Sequence, residues 1–156
     1  MCSQPFIGSL YSDHIEHLNS DSQPIENINN IAYVKKTYLR MPGGPQVLRK
    51  AVNAMSEAAI SALSKSPWTI KDIDYLIPHQ ANERIIEGVA ERLNFPKEKV
   101  ISIIQKIGNN SSVTIPACLD MAVHGKIQGK KINRGNKILF TSVGGGYSVA
   151  SIVMEY

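Results

Sequence analysis

Three hydrophobic runs in this 156-residue chain each stop at a polar or glycine-rich motif, and that repeated arrangement constrains the fold most tightly. Tyr75-Leu76-Ile77-Pro78 runs into His79-Gln80-Ala81-Asn82. Val100-Ile101-Ser102-Ile103-Ile104 leads to Gly108-Asn109-Asn110-Ser111-Ser112, and Ile138-Leu139-Phe140-Thr141-Ser142-Val143 leads to Gly144-Gly145-Gly146. In an open parallel α/β sheet the carboxyl ends of the strands share one edge, and ligands bind there. An imidazole, an amide and bare glycine backbone would meet at that edge as hydrogen-bond donors for an oxyanion. No nucleophile accompanies them.

The segments between these runs complete an alternating pattern. Phe6–Tyr11 reads as a first strand, and residues 12–30 as a polar excursion with Pro24 and several Asn. A short strand is expected within Ile31–Leu39, before the turn Met41-Pro42-Gly43-Gly44-Pro45. Gln46–Ser64 and Asn82–Leu93 carry apolar residues at helical spacing with polar residues opposite, and each ends at a breaker: Pro67 and Asn94-Phe95-Pro96. Ser112–His124 reads as a third helix, apolar on nearly every side with Thr114 and Asp120 as the main interruptions, which implies cover from two directions. Tyr147–Tyr156 alternates as a strand does and forms a hairpin with the run before it across Gly144–Gly146. The order βαβαβαββ predicts one α/β domain over residues 1–156, a mixed five-stranded sheet with helices on both faces.

Composition narrows the class. Hydrophobic residues make up 43%, enough for one real core, and no apolar run approaches the length of a membrane-spanning helix. The N-terminus lacks the basic and apolar regions of a signal peptide, and two cysteines do not make a disulfide framework, so a cytoplasmic setting is expected. Net charge is +4, but the basic residues form no long block and aromatics are only 6%, which argues against nucleic-acid binding and leaves room for an acidic partner.

Taken singly, the candidate residues have ordinary explanations. A histidine after a strand commonly serves as a structural hydrogen-bonding residue. Asn109 sits in a Gly-Asn-Asn stretch that suits a turn, and three glycines suit a tight hairpin. Cys118 lies inside the apolar helix, where a thiol is inert, and Cys2 lies at the terminus with no base nearby. Asp13-His14-Ile15-Glu16-His17 sketches metal spacing but lacks helical context, so no metal is expected.

Together and in this order, His79-Gln80-Ala81-Asn82, Gly108-Asn109-Asn110-Ser111 with Pro116 soon after, and Gly144-Gly145-Gly146 before the last strand resemble the C-terminal half of β-ketoacyl-acyl-carrier-protein synthase III, a condensing enzyme of the thiolase fold. The resemblance covers Asp74–Tyr156 and, more loosely, Phe6–Asp13. It implies one thiolase-like half, the half bearing the family's reactive cysteine being absent from this chain.

The resemblance assigns roles. His79 and Asn109 would stabilise the enolate formed when a malonyl thioester decarboxylates, and the Gly145 backbone would complete a separate oxyanion hole for acyl transfer. Arg84 and Asn82 would border the pantetheine and its carrier protein. The substrates implied are acyl-coenzyme A and malonyl-acyl-carrier protein, in fatty-acid or polyketide-type biosynthesis, with no metal or redox cofactor. The partners implied are acyl carrier protein and either an N-terminal thiolase-like half or a second copy in a homo-oligomer, with no nucleic acid and no membrane. Alone, the chain would be an inactive part of an acyltransferase; the alternative is a non-catalytic subunit that docks a carrier protein or partner synthase half. Three departures imply a reshaped pocket: Gly44 where the family has an Asn after Met-x-Gly, Val143 in place of Phe, and Val149 in place of Trp.

Overall fold

The computed structural model describes residues 26–28, 31–33, 44–145 and 147–156. The expected strand Phe6–Tyr11, the histidines of the metal-like spacing, Cys2 and the Met41–Gly43 part of the turn lie outside the described residues. By contact the chain divides into two units, Met1–Gly44 with Gly145–Tyr147, and Pro45–Gly144 with Ser148–Tyr156.

In the first unit, β1 (Glu26–Ile28) and β2 (Ile31–Tyr33) pair antiparallel, with Ile28 opposite Ile31. β2 falls where a short strand is expected. β1 is a correction, since it forms within the polar excursion. Ile28 and Ile31 are both β-branched, a residue type that favours extended backbone, and the surrounding Asn residues conceal that preference.

The second unit holds the sheet. α1 (Gly44–Ser64) leads by way of a 3₁₀ turn at Ile70–Asp72 to β3 (Tyr75–Pro78) and then to α2 (Glu83–Arg92). The short α3 (Ile104–Ile107) follows, then α4 (Thr114–Val123), β4 (Lys137–Gly144) and β5 (Ser148–Glu155). β4 lies between its neighbours, parallel to β3 from Tyr75↔Ile138 to Pro78↔Thr141 and antiparallel to β5 from Lys137↔Glu155 to Gly144↔Ser148. Among the described residues, no helix is long and apolar enough to cross a membrane.

Side-chain alternation along these strands sorts the core into two layers. Leu76 and Leu139 join Ala51, Met55 and Ala59 of α1 and Ile86 and Val89 of α2. Ile77, Ile138 and Phe140 face the other way and join Cys118 and Ala122 of α4. Helices therefore cover both faces, as the element order predicts. α1 and α2 approach closely at Gly88, where a Cβ would sit 2.9 Å from Val52 Cγ2. The Thr141 hydroxyl donates to the Met55 carbonyl at 2.8 Å and ties α1 to β4.

Two expectations change in detail. Val100–Ile104 is not a full strand: Val100 alone bridges Leu76, the Ile101 amide donates to the Leu76 carbonyl at 2.8 Å, and Ile104 already begins α3. Pro78 has no N–H to carry the ladder further. A side chain described below takes its place. The third helix begins with a 3₁₀ turn at Ser111–Val113, and only Thr114, Cys118 and Ala122 of α4 are fully buried. Ile115, Ala117, Leu119, Met121 and Val123 are half-buried, which narrows the inward face of a helix that sequence alone reads as apolar all round.

Candidate active site

β3 delivers His79. Its amide continues the β3–β4 pairing by donating to the Thr141 carbonyl at 2.8 Å, so the backbone of the histidine is fixed by the sheet itself. The ring is half-buried, and burial lowers its pKa below the usual histidine value, favouring the neutral imidazole. Its Nδ1 lies 2.6 Å from the Thr114 hydroxyl at the start of α4.

Gln80 is fully buried although it is polar, and its bonds explain why. Its Nε2 donates to the carbonyls of Pro78 at 2.7 Å and Ile101 at 3.4 Å. Its Oε1 accepts the Ile103 amide at 2.9 Å. The primary amide thus stands in for the ladder that Pro78 interrupts and clamps the end of β3 to the segment leading toward Asn109. The Gln80 backbone amide donates to the Thr114 hydroxyl at 3.3 Å.

Asn109 reaches the site on a loop. Gly108 ends α3 with φ 65° and ψ −166°, a conformation open essentially to glycine alone, and so turns the chain out of the helix. The Asn109 Oδ1 accepts the Ser111 amide at 2.9 Å, holding Ser111 at φ 54°. The Ser111 carbonyl then accepts the Thr114 amide and lies 3.1 Å from the Thr114 hydroxyl. His79 and Asn109 therefore belong to one continuous hydrogen-bonded network whose junction is Thr114. Among the described residues, neither His79 Nε2 nor Asn109 Nδ2 forms a hydrogen bond.

Other predicted residues are placed less closely. Asn82 is the N-cap of α2, its Oδ1 accepting the Arg84 amide at 2.9 Å. Arg84 is exposed on the first turn of α2, next to Glu83, whose carboxylate accepts from Gln105 Nε2 at 2.8 Å. Gly145 groups with residues 1–44 in the other unit, so the geometry described for His79 and Asn109 does not extend to it. Cys118 is a buried free thiol whose pKa burial pushes up to about 12. Among the described residues no cluster of His, Cys, Asp or Glu could hold a metal ion.

Sequence reasoning missed Gln80 and Thr114 as site residues. Each carries a legible signal: Gln80 is a polar side chain directly after a strand that ends in proline, and Thr114 shares the i, i+4, i+8 stripe of Cys118 and Ala122 in an apolar helix.

Residues 63–156 match the family described as the C terminal of 3-oxoacyl-[acyl-carrier-protein (ACP)] synthase III. This chain belongs to that family. A β-ketoacyl-[acyl-carrier-protein] synthase III from Aquifex aeolicus is 41% identical over 119 residues, covering 76% of this chain and 37% of the relative. One from Wolbachia pipientis is 42% identical over 113 residues, covering 72% of this chain and 34% of the relative. The solved structure of 3-oxoacyl-[acyl-carrier-protein] synthase III from Aquifex aeolicus superposes with a TM-score of 0.70 at 40% identity, covering 76% of this chain and 37% of that one. The chain thus spans about a third of the length of these relatives, and over that span the thiolase-like fold expected from the three motifs is present.

Proposed function

We propose that this chain supplies the decarboxylation side of a ketoacyl synthase III-type acyltransferase. Its extender is a malonyl thioester on acyl carrier protein, and its starter is an acyl thioester from coenzyme A or a carrier. The observation that carries this reading is the network through Thr114. It anchors one polar atom each of His79 and Asn109, Nδ1 and Oδ1, and leaves Nε2 and Nδ2 for a ligand.

The chemistry suits two fixed donors. When the malonyl C–C bond breaks and carbon dioxide leaves, the bonding pair moves onto the thioester oxygen as an enolate. Donors aimed at that oxygen stabilise the developing charge, and a neutral amide such as Asn109 does so without titrating. The enolate carbon then attacks the carbonyl carbon of the acyl thioester, and the C–S bond to the cysteine that bears the acyl group breaks, the electron pair leaving on that sulfur while the product stays on the carrier protein. A metal or redox cofactor has no part in these steps.

Cys118 is a poor carrier of the acyl group, since its thiol is buried with a pKa near 12. The reading therefore assigns that role to a cysteine from a second thiolase-like half, and acyl transfer to the Gly145 backbone. Arg84, exposed on the first turn of α2, suits an acidic carrier protein. Asn82 contributes to pantetheine binding through its Nδ2, because its Oδ1 is committed to the cap.

The test uses the chain assembled with a cysteine-bearing half. Carbon dioxide release from malonyl-carrier protein and radiolabelled acyl loading are followed side by side. Asn109→Asp and His79→Ala are expected to slow decarboxylation by about a hundred- to a thousand-fold, the usual scale for one oxyanion donor, while Asn109→Asp leaves loading largely intact. Equal and small effects on both steps would overturn the reading. The unassembled chain, incubated with acyl-coenzyme A, is expected to show no acyl adduct by intact mass; a stoichiometric thioester on Cys118 would contradict the role assigned to the second half.

A further inference from the structure

The Thr114 hydroxyl has one hydrogen and three polar neighbours. The Gln80 amide, at 3.3 Å, can only donate to it and so occupies a lone pair. The hydrogen itself has two possible acceptors, the Ser111 carbonyl at 3.1 Å and His79 Nδ1 at 2.6 Å. Two observations decide between them. The Ser111 carbonyl already accepts the Thr114 backbone amide, so it is satisfied without the hydroxyl. The contact to Nδ1, at 2.6 Å, is the shorter of the two by 0.5 Å, and it lies below the ~2.7–3.2 Å range in which N–H groups donate to oxygen.

We propose that Thr114 is a positioning residue that donates its hydroxyl hydrogen to His79 Nδ1 and so fixes the ring proton on Nε2. A neutral imidazole carries one N–H, and a ring that accepts at Nδ1 must bear it at the other nitrogen. Burial favours the neutral ring, and for a neutral ring it is the tautomer that determines what Nε2 presents. Thr114 suits the task because it is fully buried and β-branched, with few rotamers open to it, and because the Gln80 amide orients its lone pair. The consequence is that Nε2 is a donor. That consequence rests on the functional reading above, whereas the tautomer does not.

The test is ring-nitrogen NMR on the full chain labelled with ¹⁵N-histidine and without substrate, the His79 signals being identified by their loss in His79→Gln. The wild type is expected to show the Nε2–H tautomer, and Thr114→Ser to retain it. Thr114→Val, which keeps the shape and removes the hydroxyl, is expected to lower the Nε2–H to Nδ1–H ratio by about five- to ten-fold, the scale of one net hydrogen bond. An Nδ1–H ring in the wild type, or an unchanged ratio in folded Thr114→Val, would overturn the proposal. If Thr114→Val does not fold, the wild-type tautomer together with its retention in Thr114→Ser decides. Adding malonyl-pantetheine thioester to the assembled enzyme separates the two readings. Nε2–H present but unmoved by the thioester keeps the role of Thr114 and removes the oxyanion role of His79.

Discussion

His79 and Asn109 stand at opposite ends of one network and are held by different means. His79 is pinned on three sides: its amide by β4, its ring by Thr114, and the chain immediately after it by the buried side chain of Gln80. Asn109 is exposed and held by its own Oδ1 and by the backbone conformation of Gly108. The first is built into the sheet, the second is a loop residue kept in place by local geometry. A rigid donor and a locally set one can therefore be perturbed separately: changes near His79 are felt by the whole fold, and changes near Asn109 by the loop alone.

The largest stability loss is expected at the rigid end. Gln80→Leu leaves the buried Ile103 amide without an acceptor and unclamps the end of β3, at a cost of about 3 kcal/mol, read as a lower midpoint in urea unfolding. Gly108→Ala comes next. Nothing crowds the added methyl, so the cost of about 2 kcal/mol is that of the left-handed backbone alone, and the same unfolding curve checks it. Asn82→Ala removes the α2 cap and is expected to cost about 1 kcal/mol. Asn109→Ala is expected to cost about 0.5 kcal/mol or less, even though the proposed function gives Asn109 a part in catalysis. If Asn109→Ala destabilised the chain more than Gln80→Leu, the contrast between a sheet-held and a loop-held donor would be wrong.

Acid sharpens the same contrast. Burial lowers the pKa of His79 in the folded chain, so the folded state disfavours the protonated ring relative to the unfolded one. The associated stability is fully present above the ordinary histidine value near 6.5 and is lost as the pH falls through the lowered folded value. His79→Gln is expected to reduce the slope of stability against pH in that window, while Asn109→Ala leaves it unchanged. Equal slopes in wild type and His79→Gln would show that the ring is not desolvated as described.

The half-buried apolar flank of α4 gives the last comparison. Leu119→Lys and Met121→Lys alter the face that sequence reading assigns to a covering layer, whereas Cys118 and Ala122 already lie in the core. Sedimentation is expected to show weaker self-association, or weaker binding of a second half, in both variants. A compact monomer with low hydrophobic-dye binding in the unaltered chain would remove the need for such a layer.

The sequence by itself determined the class of the fold, because strand and helix periods and chain breaks are local properties. Tyr75–Pro78 and Ile138–Val143 are apolar runs bounded by breakers, and Gln46–Ser64 carries an unmistakable helical stripe. It also singled out His79 and Asn109 as candidates, since each follows a strand-like run and open α/β sheets bind ligands beyond the ends of such runs. The tertiary structure decided what no local pattern carries. It showed that Val100–Ile104 contributes one bridge instead of a strand, because the Gln80 side chain donates to the Ile101 carbonyl, which Pro78 has no N–H to reach, and accepts the Ile103 amide. It also showed that Thr114, 35 residues from His79, supplies the ring's partner. Hydrogen bonds between distant segments depend on where the sheet and α4 bring them together, and their energy appears only once both are folded.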